Sequence, residues 1–112
     1  MSITFKTYDP HGLLRAFKKA IDDGEIVTWS YDRDGDFTHT PEQWKSRAWL
    51  RPEIQSGQLY FYILTPANTN LSKVVYAVYH GRFIEAMLTH CDTLFTDGTA
   101  SALPGNRDQV AA

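Results

Sequence analysis

Three of the four histidines and a few carboxylates are the groups in this chain suited to acid–base or metal chemistry. Imidazole titrates near neutral pH and also ligates metals. The spacing separates these groups, because Glu85 and His90 are five residues apart on a predicted helix and point in different directions. No His-x-x-x-His or Cys-x-x-Cys pair occurs. A histidine site therefore needs the fold to combine His39 or His80 with an acid such as Asp36 or Glu85.

A run of alternating acids suggests a cation site, but the run is incomplete. Asp32, Asp34 and Asp36 have the spacing that calcium loops use. The sixth position of such a loop is Phe37 instead of Gly, and the twelfth is Gln43 instead of an acid. We therefore expect a solvated turn and no metal. Phosphate-binding and dinucleotide-binding glycine motifs are absent from the sequence, so no cofactor is expected either.

The single cysteine and the apolar stretches bear on the compartment. Cys91 has no partner for an internal disulfide, and it falls on the apolar side of a predicted helix, where a thiol usually packs as a small hydrophobe. The first residues lack the basic and apolar regions of a secretory signal. Residues 74–79 are the longest nearly apolar stretch, much shorter than the ~20 residues of a membrane helix. These features predict a soluble cytoplasmic protein without a membrane span.

Length and charge limit the class of protein. The chain has 112 residues, of which 43% are hydrophobic and 21% charged, the balance of one globular domain. We predict a single domain over residues 1–104 and a flexible tail over residues 105–112. The net charge is −2, from 11 basic and 13 acidic residues, so general nucleic-acid binding is not expected.

Hydrophobic periodicity predicts two helices and several strands. One helix begins at the Asp9-Pro10 pair and ends near Gly24, and the second runs over residues 82–95 after a break at Gly81. Strands are predicted over residues 3–8, 25–31, 48–54, 58–64 and 74–79, the last with a helix as the alternative, and a final short strand over residues 99–103. The pair Thr40 and Gln43 resembles a capping box that opens a single helical turn.

This order of elements predicts an α+β fold. Its sheet is an antiparallel meander with two main helices packed on one face. A ferredoxin-like βαββαβ core with an inserted segment is one connectivity that satisfies the order. Pro52 predicts that its strand lies at a sheet edge, because proline gives no ladder donor.

Aromatic side chains are the most suggestive feature for binding. Tryptophan, tyrosine and phenylalanine make up 13% of the chain, and three tryptophans flank the least regular region. Exposed Trp and Tyr beside arginine are typical of interaction surfaces, whereas buried ones fill the core. The candidate binding residues are Trp29, Asp36, His39, Trp44, Arg47, Trp49, Arg51 and His80.

Four blocks carry a resemblance to other sequences. They are residues 28–32 (TWSYD), 36–40 (DFTHT), 48–52 (AWLRP) and 79–85 (YHGRFIE). They resemble those of a group of small uncharacterised bacterial proteins with no assigned function. The resemblance implies a bacterial source and supplies no activity or ligand.

Three functions are compatible with the sequence. The first is a non-catalytic binding or interaction module that pairs with a protein partner or with itself as a homo-oligomer. The second is a small hydrolase-like enzyme that uses His39 or His80 with Asp36 or Glu85. The third is single-stranded nucleic-acid binding by stacking on Trp and Tyr, which needs a basic groove around Arg33, Lys45, Arg47 and Arg51. The binding module is favoured over an enzyme.

Overall fold

The computed structural model describes residues 3–103, and the chain enters it through strand β1 (Ile3–Lys6) and helix α1 (Pro10–Asp22). An Asp9 carboxylate oxygen accepts the Gly12 N–H at 2.9 Å. Pro10 occupies the first turn, where a missing N–H removes no helical hydrogen bond. Gly24 follows the helix with φ of 79°, a backbone conformation in which glycine is favoured. The predicted start and end of this helix are confirmed.

A short hairpin follows, formed by β2 (Trp29–Tyr31) and β3 (Phe37–His39). The first strand begins later than the predicted residue 25, because the N–H groups of Glu25 and Ile26 donate to the carbonyl of Ala20 and still belong to the end of α1. The second strand was not predicted. The turn over residues 32–36 is confirmed, with Asp32 accepting two backbone N–H groups within it.

The next hairpin consists of β4 (Trp49–Gln55) and β5 (Gln58–Leu64), as the sequence predicts. The edge prediction for Pro52 is wrong for the strand as a whole, because β4 lies between β3 and β5. It holds locally, since β3 pairs with β4 only at Phe37 and Leu50 within the described residues. Pro52 lies beyond that pair, where β3 offers no ladder partner for its backbone.

Helix α2 (Lys73–Cys91) corrects the reading of the second half, and β6 (Asp97–Ala100) follows it. Residues 74–79 are helical, so the alternative is the one found, and Gly81 lies inside the helix instead of breaking it. The Ser72 hydroxyl accepts the Val75 N–H at 3.1 Å and caps the helix, which begins at Lys73, nine residues before the predicted start at residue 82. The last strand begins at residue 97, two residues before its predicted start. Leu88 of this helix is 53% exposed.

Within residues 3–103, six strands form one antiparallel sheet in the order β2-β3-β4-β5-β1-β6. The elements β1, α1, β4, β5, α2 and β6 supply a βαββαβ unit whose strands lie in the order β4-β5-β1-β6. This is the ferredoxin-like arrangement. The β2–β3 hairpin is the insertion, placed between α1 and β4, and it extends the sheet on the β4 side. The predicted α+β class is confirmed.

The core lies between one face of the sheet and the two helices. Leu13 and Phe17 of α1 and Met87 of α2 are 1% exposed or less. Phe83 of α2 is at the centre, with its ring centroid 4.7 Å from that of Phe61 on β5 and 4.9 Å from that of Phe17. Burying such large rings supplies much of the hydrophobic stabilisation of a small domain.

A second, smaller apolar cluster lies on the other face of the sheet. It contains Tyr60, Tyr62 and Leu64 of β5, with Trp49 of β4 packed against them. Within residues 3–103, neither helix has the length and apolar character needed to cross a bilayer. The predicted tail over residues 105–112 lies outside the described residues, and its boundary stays a prediction.

Candidate functional site

His39 is the last residue of β3, and its ring is held in one orientation. Its Nδ1 lies 2.7 Å from the carbonyl oxygen of Thr28. Because a carbonyl oxygen only accepts hydrogen bonds, Nδ1 carries a proton, and the neutral ring has its lone pair on Nε2. No group within residues 3–103 hydrogen-bonds that Nε2. The structure thus holds a hydrogen-bond acceptor in place without using it.

A cavity of about 280 Å³ is lined by His39 together with Trp44 and the α2 residues Arg82 and Glu85. Thr28 and Gln43 also line it. The Arg82 guanidinium lies 3.3 Å from a Glu85 carboxylate oxygen, and both side chains are more than half exposed. The cavity therefore combines an imidazole acceptor, an indole and one charge of each sign. Its volume lies just below the range of typical ligand pockets, roughly 300–1,000 Å³.

The environment of His39 favours its neutral form. Burial lowers the pKa of the imidazole below its ordinary value of 6.5, and the nearby Arg82 charge lowers it further. The hydrogen bond to the Thr28 carbonyl and the charge of Glu85 act in the opposite direction and do not outweigh burial. At neutral pH the ring consequently offers Nε2 to the cavity as an acceptor.

The loop over residues 40–48 forms the outer wall of the cavity and is fixed by two buried hydroxyls. The Tyr79 hydroxyl of α2 donates to the Trp44 carbonyl. The Thr38 hydroxyl donates to the Ala48 carbonyl at 3.0 Å and accepts the Ser46 N–H at 3.1 Å. Satisfied buried networks of this kind hold a loop in a single conformation. The position of Trp44 therefore depends on residues that do not line the cavity.

The expected capping box is absent from this loop. The Thr40 hydroxyl donates to the Val27 carbonyl at 2.6 Å, and its N–H donates to the Thr28 carbonyl at 2.8 Å. These bonds extend the β2–β3 hairpin past its last ladder pair. Residues 41–47 form turns, in which Ser46 has φ of 59°.

Trp29 lies behind His39 and belongs to the core. It pairs with His39 across the β2–β3 ladder, and the two ring centroids are 4.6 Å apart. Its side chain is 1% exposed and also contacts the rings of Tyr79 and Phe83. The indole nitrogen finds no acceptor within residues 3–103. Trp29 thus supports the imidazole from the core side without reaching the cavity.

Asp36 and Arg51 form a separate ion pair. Two Arg51 nitrogens donate to the two Asp36 carboxylate oxygens, at 2.8 and 2.7 Å. Asp36 is 5% exposed, and its carboxylate raises the pKa of Arg51. The carboxylates of Asp32, Asp34 and Asp36 lie close together. Because Arg51 donates to both Asp36 oxygens, we interpret the three aspartates as part of a turn that the ion pair stabilises.

The other predicted binding residues are dispersed. His80 is 3% exposed, its ring stacks on Tyr76 with centroids 3.8 Å apart, and its Nδ1 lies 2.6 Å from the Tyr76 carbonyl. Arg47 is exposed and does not line the cavity. Trp49 lies on the opposite face of the sheet. The three tryptophans thus occupy three different environments and form no continuous stacking row.

Sequence reasoning missed Arg82 and Thr28. Arg82 forms an i,i+3 pair with Glu85, a signal that is visible in the sequence. Placing a break at Gly81 put Arg82 at a helix start and hid its relation to His39. Thr28 contributes its backbone carbonyl, for which no side-chain signal exists.

Comparison with known proteins supplies no relative, since no family model, no curated protein and no solved structure matches this chain. The conclusions on function therefore depend on the cavity geometry.

Proposed function

We propose that this chain is a non-catalytic binding module and that its ligand occupies the cavity at His39. One observation carries the proposal. The ring of the buried His39 is oriented by the Thr28 carbonyl, and its Nε2 accepts no hydrogen bond within residues 3–103. The same cavity is lined by the charged side chains of Arg82 and Glu85 and by Trp44. Small-molecule sites commonly combine apolar walls with a few such fixed polar groups.

The test is a ligand screen by NMR with the full chain. A panel of small cationic, anionic and neutral fragments is added in turn to ¹⁵N-labelled protein. Binding at the cavity shifts the signals of His39 and of the Trp44 indole. The Trp49 indole is an internal control, because it lies on the other face of the sheet. A panel without any saturable shift at the cavity contradicts the proposal.

Two variants distinguish binding in the cavity from binding elsewhere on the surface. His39→Asn keeps a donor for the Thr28 carbonyl and removes the acceptor at Nε2. His90→Asn changes an exposed histidine outside the cavity and is the matched control. Fragments that bind the original protein should bind His39→Asn more weakly and His90→Asn with unchanged affinity.

An acid–base enzyme is the second candidate, because His39 and Glu85 line one cavity. An imidazole with its tautomer fixed through Nδ1 can act as a general base through Nε2. Hydrolysis of nitrophenyl esters by the full chain is the first assay. The enzyme candidate requires catalytic turnover that His39→Asn abolishes and His90→Asn retains.

Association with a second copy is a further part of the proposal. β6 lies at one edge of the sheet, and all four of its residues are exposed. Such an edge offers backbone groups to another strand. Size-exclusion chromatography with light scattering tests this, and one monomer mass at all concentrations would overturn it. We place the module in the bacterial cytoplasm.

A further inference from the structure

We propose that the cavity at His39 takes a primary ammonium group that has a carboxylate or carbonyl beside it, as in a free amino acid or the amino terminus of a peptide. The proposal rests on the binding function proposed above and specifies the chemistry of its ligand. It follows from which polar groups of the cavity accept hydrogen bonds and which donate them.

Two acceptors belong to the cavity. His39 Nε2 has a lone pair and no partner within residues 3–103, while the residue as a whole is only 5% exposed. The Glu85 carboxylate is the second acceptor, and its described partner Arg82 reaches it at 3.3 and 3.5 Å, which are long contacts for charged groups. A primary ammonium has three donors and no acceptor, so it complements this pair.

The indole of Trp44 adds a surface suited to a cation. It lines the same cavity and is partly buried. A cation near an indole face is attracted by the negative face of the ring. The same groups disfavour an anion next to His39, because Glu85 repels it and the buried imidazole resists the protonation that would attract it.

Arg82 defines the other end of the ligand. Its side chain is 59% exposed, and Arg82 lines the cavity beside Glu85. A guanidinium binds a carboxylate with two parallel hydrogen bonds and binds a carbonyl oxygen with one. A ligand whose ammonium lies beside a carboxylate or carbonyl therefore meets charges and dipoles of the correct sign at both ends.

Four probes test this chemistry with the full chain by ¹H–¹⁵N NMR: methylammonium, glycinamide, glycine and acetate. We expect the three amines to give saturable shifts at His39 and Trp44, and acetate to give none. Glycine binding more tightly than glycinamide identifies a free amino acid as the ligand source, and the reverse order identifies a peptide terminus. Acetate binding with inactive amines overturns the ammonium assignment and leaves the binding function standing.

A carboxylate replacement provides the second arm. Glu85→Gln should weaken amine binding a few-fold, because the Glu85 side chain is 64% exposed and an exposed charge pair contributes roughly 0.2–1 kcal/mol. Glu25→Gln removes an exposed carboxylate outside the cavity and should leave binding unchanged. Equal losses in the two variants would mean that only general charge attraction acts, and this would overturn the assignment. If none of the four probes gives a saturable shift, the ammonium assignment is also overturned. The wider fragment panel then shows whether the proposed binding function is refuted as well.

Discussion

Replacing Gly81 by alanine should stabilise the protein. Gly81 lies inside α2, is exposed, and has no heavy atom within 4 Å of the position that a Cβ would take. Its φ is outside the left-handed region. Alanine in a helix interior is favoured over glycine by about 0.8–1 kcal/mol, partly because the unfolded chain loses freedom. For a domain of this size we expect the midpoint of thermal unfolding to rise by about 4 °C.

Gly57 offers a matched control with the opposite sign. It lies in the turn between β4 and β5, and a Cβ there also meets nothing within 4 Å. Its φ is 75°, a conformation that costs an L-residue roughly 1–2 kcal/mol. The two substitutions add the same methyl group into open space, so the backbone conformation alone separates them. Gly57→Ala should therefore lower the free energy of unfolding.

Thermal and urea unfolding followed by far-ultraviolet circular dichroism measures both changes. The dependence of the free energy on urea concentration should stay constant, so that a shift in midpoint reports stability. If Gly81→Ala destabilises the protein, or if both variants shift in one direction, then α2 is not continuous through residue 81. The reasoning about the helix, and with it the position of Arg82 at the cavity, would be refuted.

Three further predictions concern the site and its supports. Tyr79→Phe removes the hydroxyl that donates to the Trp44 carbonyl, which keeps the Arg47 N–H as a donor, so the free energy of unfolding should fall by about 0.5–1.5 kcal/mol. Amide exchange in the loop over residues 40–48 should accelerate, and unchanged exchange would argue against the hydroxyl anchor. Arg51→Met leaves the buried Asp36 carboxylate uncompensated, and we expect a loss of about 2 kcal/mol in denaturant melts, less than the 3–5 of a fully buried pair because Arg51 is partly exposed. His39 should titrate below 6.5 in an NMR pH series. Because the pKa of His39 is lower in the folded state, its contribution to stability is complete above pH 6.5 and declines as the pH falls from 6.5 through the folded-state pKa. A titration midpoint at or above 6.5 would contradict the burial argument.

Local signals predicted helix α1 and the β4–β5 hairpin well. The Asp9-Pro10 start and the Gly24 end of α1 act within a few residues, and so does the turn at Gly57 between β4 and β5. Helix α2 was harder to predict, because β-branched and aromatic residues over 74–79 favour a strand locally. The helical spacing of Tyr76, Tyr79 and Phe83 becomes visible only when Gly81 is accepted inside a helix.

The site could be predicted only in part, because it is assembled from distant segments. His39 was a candidate, and Glu85 was named as an acid for it. Their relation depends on how the β2–β3 hairpin packs against α2, which sequence spacing does not encode. Grouping the three tryptophans as binding residues assumed that they share a surface, whereas packing places Trp29 in the core and Trp49 on the opposite face of the sheet.

The inserted hairpin has a consequence for how a ligand and the fold influence each other. Thr28 and His39 belong to the insertion, whereas Arg82 and Glu85 belong to the ferredoxin-like unit, and β3 joins β4 through one ladder pair. A molecule that bridges the two parts binds only while the hairpin is docked. Occupancy and docking are then thermodynamically linked, and a ligand present at 100 times its dissociation constant would stabilise the docked hairpin by about 2.7 kcal/mol. Slower opening of the insertion, seen as amide-exchange protection in the β2–β3 turn, would then report occupancy of the cavity from a distance.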